Sequence, residues 1–522
     1  MAHFLSQTAR RIPESPAVID PDANESWTWR ELDARAEALA RVLADAGVGR
    51  RDTVLLVSHN HAEVIQAFWG IIRSGAVVAP PNAALSPAEL IAISEDVAPA
   101  AVIADREHSD FVAELQSNGY DGPVLWIGEL PDSGIVEAGT DSTTSGPAYD
   151  FEVDEDDPCW YFFTSGSTGK PKAATFTHRH LGAVLANHRG DLFPDEDENG
   201  ASLVLAPLSH GAGIHMLAQV FGGTPSVINP GGRVSEDTLW DVIDRFAITN
   251  TFTVPTILNR IVAGYPADRA RDEHSLSRVV YAGAPMLAAD QQRALDRLGA
   301  CLVQYFGLAE VTGAITVLRP EDHGRIPVDS AGIGTCGRAR TGVEILVLDE
   351  SGSPMPAGEQ GEVCVAGPTV CAGYLGRPDA NAEAFAGGVF HTGDIGYLDG
   401  HGYLFLTGRK SDMYISGGSN VYPREIEELL LTDAEVDQAV VVGVPDPQWG
   451  EIGIAVIELS AGQTGPPTEH EPRLKTLLRS TLAPYKIPKE FHFVDRMPVT
   501  AYGKLARKEL RDELSRGRGS AR

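Results

Sequence analysis

A chain of 522 residues is too long for a single hydrophobic core and predicts two to four packed units. Its 43% apolar and 22% charged residues are those of a globular protein, and no apolar run approaches the roughly 20 residues needed to cross a bilayer. A formal net charge of -30 repels nucleic acid and anionic lipid over most of the surface, so a polyanionic ligand must be held by particular residues.

In chain order, the start MAHFLSQTARRIPESP lacks the apolar stretch of a secretory signal, and the expected location is the cytoplasm. Residues 27 to 48 carry apolar positions at helical spacing, DTVLLVSH reads as a buried strand, and AEVIQAFWGIIRSG is a second helix leading into AVVAPPN. This alternation predicts layered α/β architecture. The stretch from Asp132 to Asp157, rich in Asp, Ser, Thr and Gly, reads as a surface connection running into the strand CWYFF.

The segment TSGSTGKPK, Thr164 to Lys172, follows that strand at once. Its glycines, hydroxyl residues and lysines supply backbone N–H groups, side-chain donors and positive charge, the equipment of a phosphate cradle. It is not a Walker A loop, because Pro171 follows Lys170 where a hydroxyl residue is needed. The glycine pattern of GIGTCG, at Gly332, Gly334 and Gly337, matches dinucleotide spacing but leads into a turn and the strand VEILVLD, where a helix would be required. Past residue 400 come a short strand (GYLFLTGRK), a glycine loop, the helix PREIEELLL, the strand AVVVGVPD and an amphipathic helix near 473 to 483, enough for a small α+β unit. The tail SRGRGSAR is expected to be disordered. Cys159, Cys301, Cys336, Cys364 and Cys371 form no CxxC pair, and the expectation is small buried residues without disulfide or zinc.

From TSGSTGKPK onward the chain resembles the adenylate-forming superfamily of acyl-CoA ligases, carrier-protein adenylation domains and beetle luciferases. The resemblance continues in order through APLSHGAG, YAGAP, QYFGLAE, HTGD, GRKSDMYISGGSNVYPREIE and PVTAYGKLARK. It implies a large multi-layered α/β domain over residues 1–408 and a small mobile α+β domain over 409–522, with ATP, magnesium and coenzyme A bound between them. By resemblance Thr164, Ser165, Gly166, Ser167, Thr168, Gly169, Lys170 and Lys172 embrace the phosphates, and Gly283, Ala284 and Pro285 line the adenine pocket. Tyr305, Phe306 and Gly307 adjoin the nucleotide, with Phe306 in place of a common tyrosine. Asp394 receives the ribose hydroxyls beside Arg409, and Glu310 holds magnesium. His210, Gly211 and Ala309 face the acid, and Gly417 and Gly418 line the path of the pantetheine arm. Lys504 is the catalytic lysine of adenylation, acting with Glu310 and Thr164, and Arg409 to Asp412 contains the pivot.

The function implied is an ATP-dependent acyl-CoA ligase for a fatty, aryl or polycyclic acid. The alternatives are an adenylation enzyme that loads a carrier protein, a binding protein that has lost catalysis, or a ligase with weakened adenylation; a homodimer is compatible with each. The last alternative arises at Ala309, where the family has a hydroxyl residue. Its absence either forfeits a hydrogen bond to phosphate or makes room for a bulky acyl group.

Overall fold

The computed structural model describes all residues except 133–152, 165–170, 233–235, 272, 285, 287, 314, 327, 329–333, 417–418, 461–462, 464–466, 499–506 and 520–522. Two large sheets organise the N-terminal part. A seven-stranded sheet runs in the order Leu302–Gln304, Arg278–Tyr281, Asn250–Thr253, Ser202–Val204, Ser226–Ile228, Pro16–Asp20, Glu25–Thr28, parallel except at the last strand. A six-stranded sheet runs Val124–Trp126, Ala101–Ala104, Thr53–Val57, Val77–Ala79, Pro158–Thr164, Lys172–Thr177, again parallel except at the last.

Strand periodicity decides the layering. In the seven-stranded sheet Leu203, Val279 and Leu302 face one apolar cluster while their neighbours Val204, Val280 and Val303 face another. The second cluster is the main core, where the helices Trp29–Asp45, Ala62–Ser74, His178–Leu192 and Gly211–Gly222 pack between the two sheets. The helices Pro255–Ala263 and Ala288–Leu298 cover the outer face of one sheet, and Pro87–Val97 with Ser109–Ser117 cover that of the other. The result is α/β with five alternating layers, as the alternation of elements predicts. A four-stranded antiparallel sheet follows, Glu344–Leu348, Gly361–Ala366, Phe390–Leu398 and Leu404–Arg409. The C-terminal part is a mixed five-stranded sheet centred on Gly450–Leu459, with helices Pro423–Leu430 and Pro467–Arg479 on one face and Arg507–Gly519 on the other.

Four expectations are corrected. The first long helix begins at Trp29, because Glu25–Thr28 forms the edge strand and the Thr28 hydroxyl caps the helix reciprocally with Glu31. The helix expected near 473 to 483 runs over Pro467–Arg479, and Arg507–Gly519 carries helix into the tail expected to be disordered, anchored by Leu510 and Leu514. Asp157, expected on a surface connection, is fully buried and paired with Arg50 Nε and Arg51 Nε, each at 2.6 Å; most of the remainder of that connection lies outside the described residues. Among the described residues no helix is long and apolar enough to cross a membrane.

Candidate active site

Thr164, His210, Gly211, Gly283, Ala284 and the segment Tyr305 to Glu310 lie at or beyond the ends of parallel strands of the two large sheets, the position at which open α/β sheets bind ligands, whereas Asp394 and Arg409 stand on the four-stranded antiparallel sheet. Thr164 closes the strand Pro158–Thr164 and pairs directly with Lys172 across the hairpin. The loop between them therefore starts and ends at neighbouring points, although Ser165 to Lys170 lie outside the described residues.

Lys172 leads to a group the motifs did not reveal. Its Nζ sits 5.0 Å from the ring centroid of Tyr374, and the Tyr374 hydroxyl donates to Glu310 Oε1 at 2.6 Å. Burial, and then the adjacent Glu310 carboxylate, push the Tyr374 phenol up, so this hydroxyl stays a proton donor. Asn381 clamps Tyr374 from both sides, accepting from its backbone N–H at 2.7 Å and donating to its carbonyl at 2.9 Å. The Cys371 N–H donates to the Glu310 carbonyl at 2.7 Å, and Thr175 exchanges backbone bonds with Ala372 and Gly373. The carboxylate is thus fixed to the strand that carries Lys172.

Glu310 stands in the short 3₁₀ turn Ala309–Val311. The backbone around it is tightly folded, with the Gly313 N–H donating to the Leu308 carbonyl at 2.8 Å. A Cβ on Gly307 would land on the carbonyl of Gly313 and 2.7 Å from its Cα, so only glycine fits there. The two aromatic residues before it diverge. Phe306 is half-buried and packs toward Val311, Ile315 and the four-stranded sheet. Tyr305 is 5% exposed and turns into the main core, with its ring stacked on Phe252 at 5.8 Å. A Cβ built on Gly211 would stand 3.3 Å from Tyr305 Oη. The fold therefore groups Tyr305 with Gly211, on the side expected to face the acid.

His210 and Gly211 open the helix Gly211–Gly222, and the His210 ring packs 5.7 Å from Phe162 on the strand that delivers Thr164. Asn60 holds the approach to this helix, donating to the Ala206 carbonyl and accepting from the Leu208 N–H, both at 2.9 Å. Gly283 and Ala284 are exposed beyond the strand Arg278–Tyr281, Gly283 in the left-handed region at φ 84°, while Pro285 lies outside the described residues. Ala309 is partly buried against the main core.

Asp394 and Arg409 are register partners on adjacent antiparallel strands, and Arg409 Nε donates to Asp394 Oδ1 at 2.9 Å. Asp394 is 5% exposed, and its second oxygen, Oδ2, has no hydrogen-bond partner among the described residues. Burial raises the carboxyl's pKa against the opposing pull of Arg409. A buried acceptor without a donor is costly, and a ligand hydroxyl would relieve it. The strand Leu404–Arg409 is linked to the Glu310 segment through Cys336, whose N–H donates to the Leu404 carbonyl at 3.0 Å and whose carbonyl accepts from Thr316 Oγ1 at 2.6 Å, the same hydroxyl accepting from the Phe306 N–H at 3.0 Å.

Gly417, Gly418 and Lys504 lie outside the described residues. Beyond Lys504, Arg507 is described: it donates to Glu427 Oε2 and to the Val441 carbonyl, both at 3.0 Å, and approaches Asp412 Oδ2 at 3.5 Å. The decoy glycine Gly337 has a packing role, since a Cβ there would collide with the Val317 carbonyl.

The family model described as AMP-binding enzyme matches residues 5–375, and that of the AMP-binding enzyme C-terminal domain matches residues 425–504. The chain is 36% identical over 511 residues to a feruloyl-CoA synthase of an Amycolatopsis species, covering 96% of both proteins. It is 31% identical to the fatty acid–[acyl-carrier-protein] ligase ScoC of Streptomyces coeruleorubidus, over 97% of this chain and 95% of that one. The solved o-succinylbenzoate-CoA synthetase MenE of Bacillus subtilis, in complex with the acyl-adenylate OSB-AMP, superposes with a TM-score of 0.82 at 27% identity, over 98% of each chain.

Proposed function

The chain belongs to the AMP-binding enzyme family of adenylate-forming ligases, and on that premise we propose that it joins a carboxylic acid to the thiol of coenzyme A while ATP is cleaved to AMP and pyrophosphate. The observation that carries the nucleotide part of this reading is the buried, unpartnered Oδ2 of Asp394. A carboxylate only accepts, and a ribose offers hydroxyl protons; Arg409 holds the other oxygen and so aims the free one.

In this reading the two ends of the hairpin, Thr164 and Lys172, position the phosphates, and Ser165, Gly166, Ser167, Thr168, Gly169 and Lys170 supply the other donors. Gly283, Ala284 and Pro285 line the adenine, and Phe306 offers an aromatic face to it. Glu310 has two oxygens, one already engaged by Tyr374, and its hard carboxylate suits magnesium shared with phosphate oxygens. Magnesium bound there supplies positive charge next to the phosphates. The acid's carboxylate attacks the α-phosphate, pyrophosphate leaves, and the Lys504 ammonium offsets the charge gathering on the oxygens. The C-terminal domain, 409–522, then turns about Arg409 to Asp412, withdrawing Lys504 and bringing the loop of Gly417 and Gly418 to the pantetheine arm.

Acid-dependent exchange of labelled pyrophosphate into ATP, followed by thioester assays with free coenzyme A and with a carrier protein, tests the proposal. Exchange together with acyl-CoA is expected. Exchange with transfer to the carrier alone would replace the acceptor, and no exchange on any acid of a broad panel would overturn the adenylation step.

Two residues give sharper tests. Tyr374→Phe removes the hydrogen bond that orients Glu310, and apparent magnesium affinity is expected to fall about ten- to a hundredfold with the melting temperature nearly unchanged. An unaltered magnesium titration would separate Glu310 from the metal. Ala309→Thr restores a hydroxyl beside Glu310 and is expected to speed adenylation about ten- to a hundredfold, more than thioester formation. Loss of turnover with bulky acids alone would instead assign Ala309 to the acyl pocket.

A further inference from the structure

A second polar centre lies beyond the C-terminal ends of two strands of the six-stranded sheet, apart from the residues assigned to the reaction. Thr53–Val57 and Ala101–Ala104 are adjacent and parallel, with Val57 paired to Ala104, and each runs directly into a loop. One loop delivers His59, the other Asp105, Glu107 and His108. The Asp105 N–H donates to the Val57 carbonyl at 3.1 Å and the His59 N–H to Asp105 Oδ2 at 3.0 Å, so backbone groups already tie the two loops together. His59 Nδ1 lies 3.3 Å from Asp105 Oδ2 and 3.7 Å from Glu107 Oε2, and His108 Nδ1 lies 2.5 Å from Asp105 Oδ1. One ligand atom each from His59, Asp105 and His108 falls within 4.8 Å of the others.

The tautomer of His108 is fixed from its far side. Its Nε2 meets the Ala83 carbonyl at 2.8 Å, and a carbonyl only accepts, so Nε2 carries a proton. Nδ1 therefore confronts the Asp105 carboxylate across either a second proton or a positive ion. An imidazole whose outer N–H is held by a backbone carbonyl has the ring orientation and tautomer of a metal ligand. The side chains of Asp105 and His108 are each 9% exposed, whereas those of His59 and Glu107 are 55% and 80% exposed, so the centre is walled on one side and open to solvent on the other. Two imidazole nitrogens with carboxylate oxygens suit a borderline ion such as zinc, with bonds of about 2 Å, better than magnesium or calcium, which favour oxygen alone. The grouping of Glu362, Cys364 and His391 is the contrast, because Lys410 Nζ, 3.7 Å from Glu362 Oε2, already supplies positive charge there.

We propose that His59, Asp105 and His108, completed by Glu107 and water, bind a zinc ion that fastens the two loops together. The neighbouring Asn60 holds the Ala206 carbonyl and the Leu208 N–H, so the ion also steadies the approach to the helix Gly211–Gly222. The site is independent of the ligase reading, and its test needs no turnover. After chelator treatment the full chain is titrated with zinc chloride by calorimetry, with excess magnesium present, and melted with and without zinc, alongside His59→Ala and His108→Gln. The parent should bind about one zinc per chain and melt higher with it. Each variant should bind zinc about ten- to a hundredfold more weakly and lose the zinc-dependent rise in melting temperature. The His59 side chain is exposed, so His59→Ala decides the matter where zinc-free melts show that His108→Gln has not folded. No zinc binding, loss of binding to excess magnesium as a diffuse acidic surface would require, a melt that zinc leaves unchanged, or parent-like affinity in either folded variant overturns the proposal.

Discussion

Lys504→Ala is expected to lower acyl-adenylate formation by about a hundred- to a thousandfold while leaving thioester formation from a supplied acyl-adenylate nearly intact. The asymmetry follows from the proposed rotation, in which the lysine occupies the site only while charge builds on the α-phosphate. Arg507, three residues further on, is tied to Glu427 and Asp412. Arg507 is therefore held beside the proposed pivot residue Asp412. The two half-reactions are measured separately, by pyrophosphate exchange and by acyl-CoA production from synthetic adenylate. Equal losses in both would remove Lys504 from the first step and the rotation from the mechanism.

Gly307→Ala should cost about a hundredfold in adenylation and about 2 kcal/mol or more in stability. Its Cβ would fall on the backbone of Gly313, and backbone on both sides of the contact cannot rotate away as a side chain can. The turn that presents Glu310 must open, separating the carboxylate from Tyr374 and from the strand bearing Lys172. Gly334→Ala is the control, because a Cβ there meets nothing within 4 Å. Exchange activity and thermal melts of the two variants check the contrast; a Gly307→Ala protein that behaves like Gly334→Ala would show that the turn is not held as described.

Elements that announce themselves by periodicity, such as the strand Thr53–Val57 and the helix Ala62–Ser74, were readable directly from residue order, and so was their layering. What escaped was set by tertiary pairing. Trp29 starts its helix because the residues before it join a sheet edge, and Asp157 is interior because two arginines reach it from a distant turn. In the site, ordered motifs picked out Asp394 and Arg409, whose cross-strand register explains why they act together. Tyr374 and Asn381 belong to no such motif, and their role depends on a segment folding back beside Lys172. Arg340 is the sharpest case: an arginine between a turn and a strand reads as solvated, and only its enclosure by Asn187, His188 and Tyr305 makes it interior.

The burial of the cysteines acquires a meaning from the proposed chemistry. An acyl-adenylate is an electrophile awaiting sulfur, and a protein that generates one endangers any thiolate of its own. All five thiols are buried, and burial pushes Cys159, Cys336, Cys364 and Cys371 up to about 12, leaving them protonated and poorly nucleophilic. Cys371 is the instructive one, since its backbone N–H touches Glu310 while its sulfur stays withdrawn. The catalyst is in this way protected from acylating itself, and a lingering activated acyl group meets only the sulfur that a visiting molecule carries in.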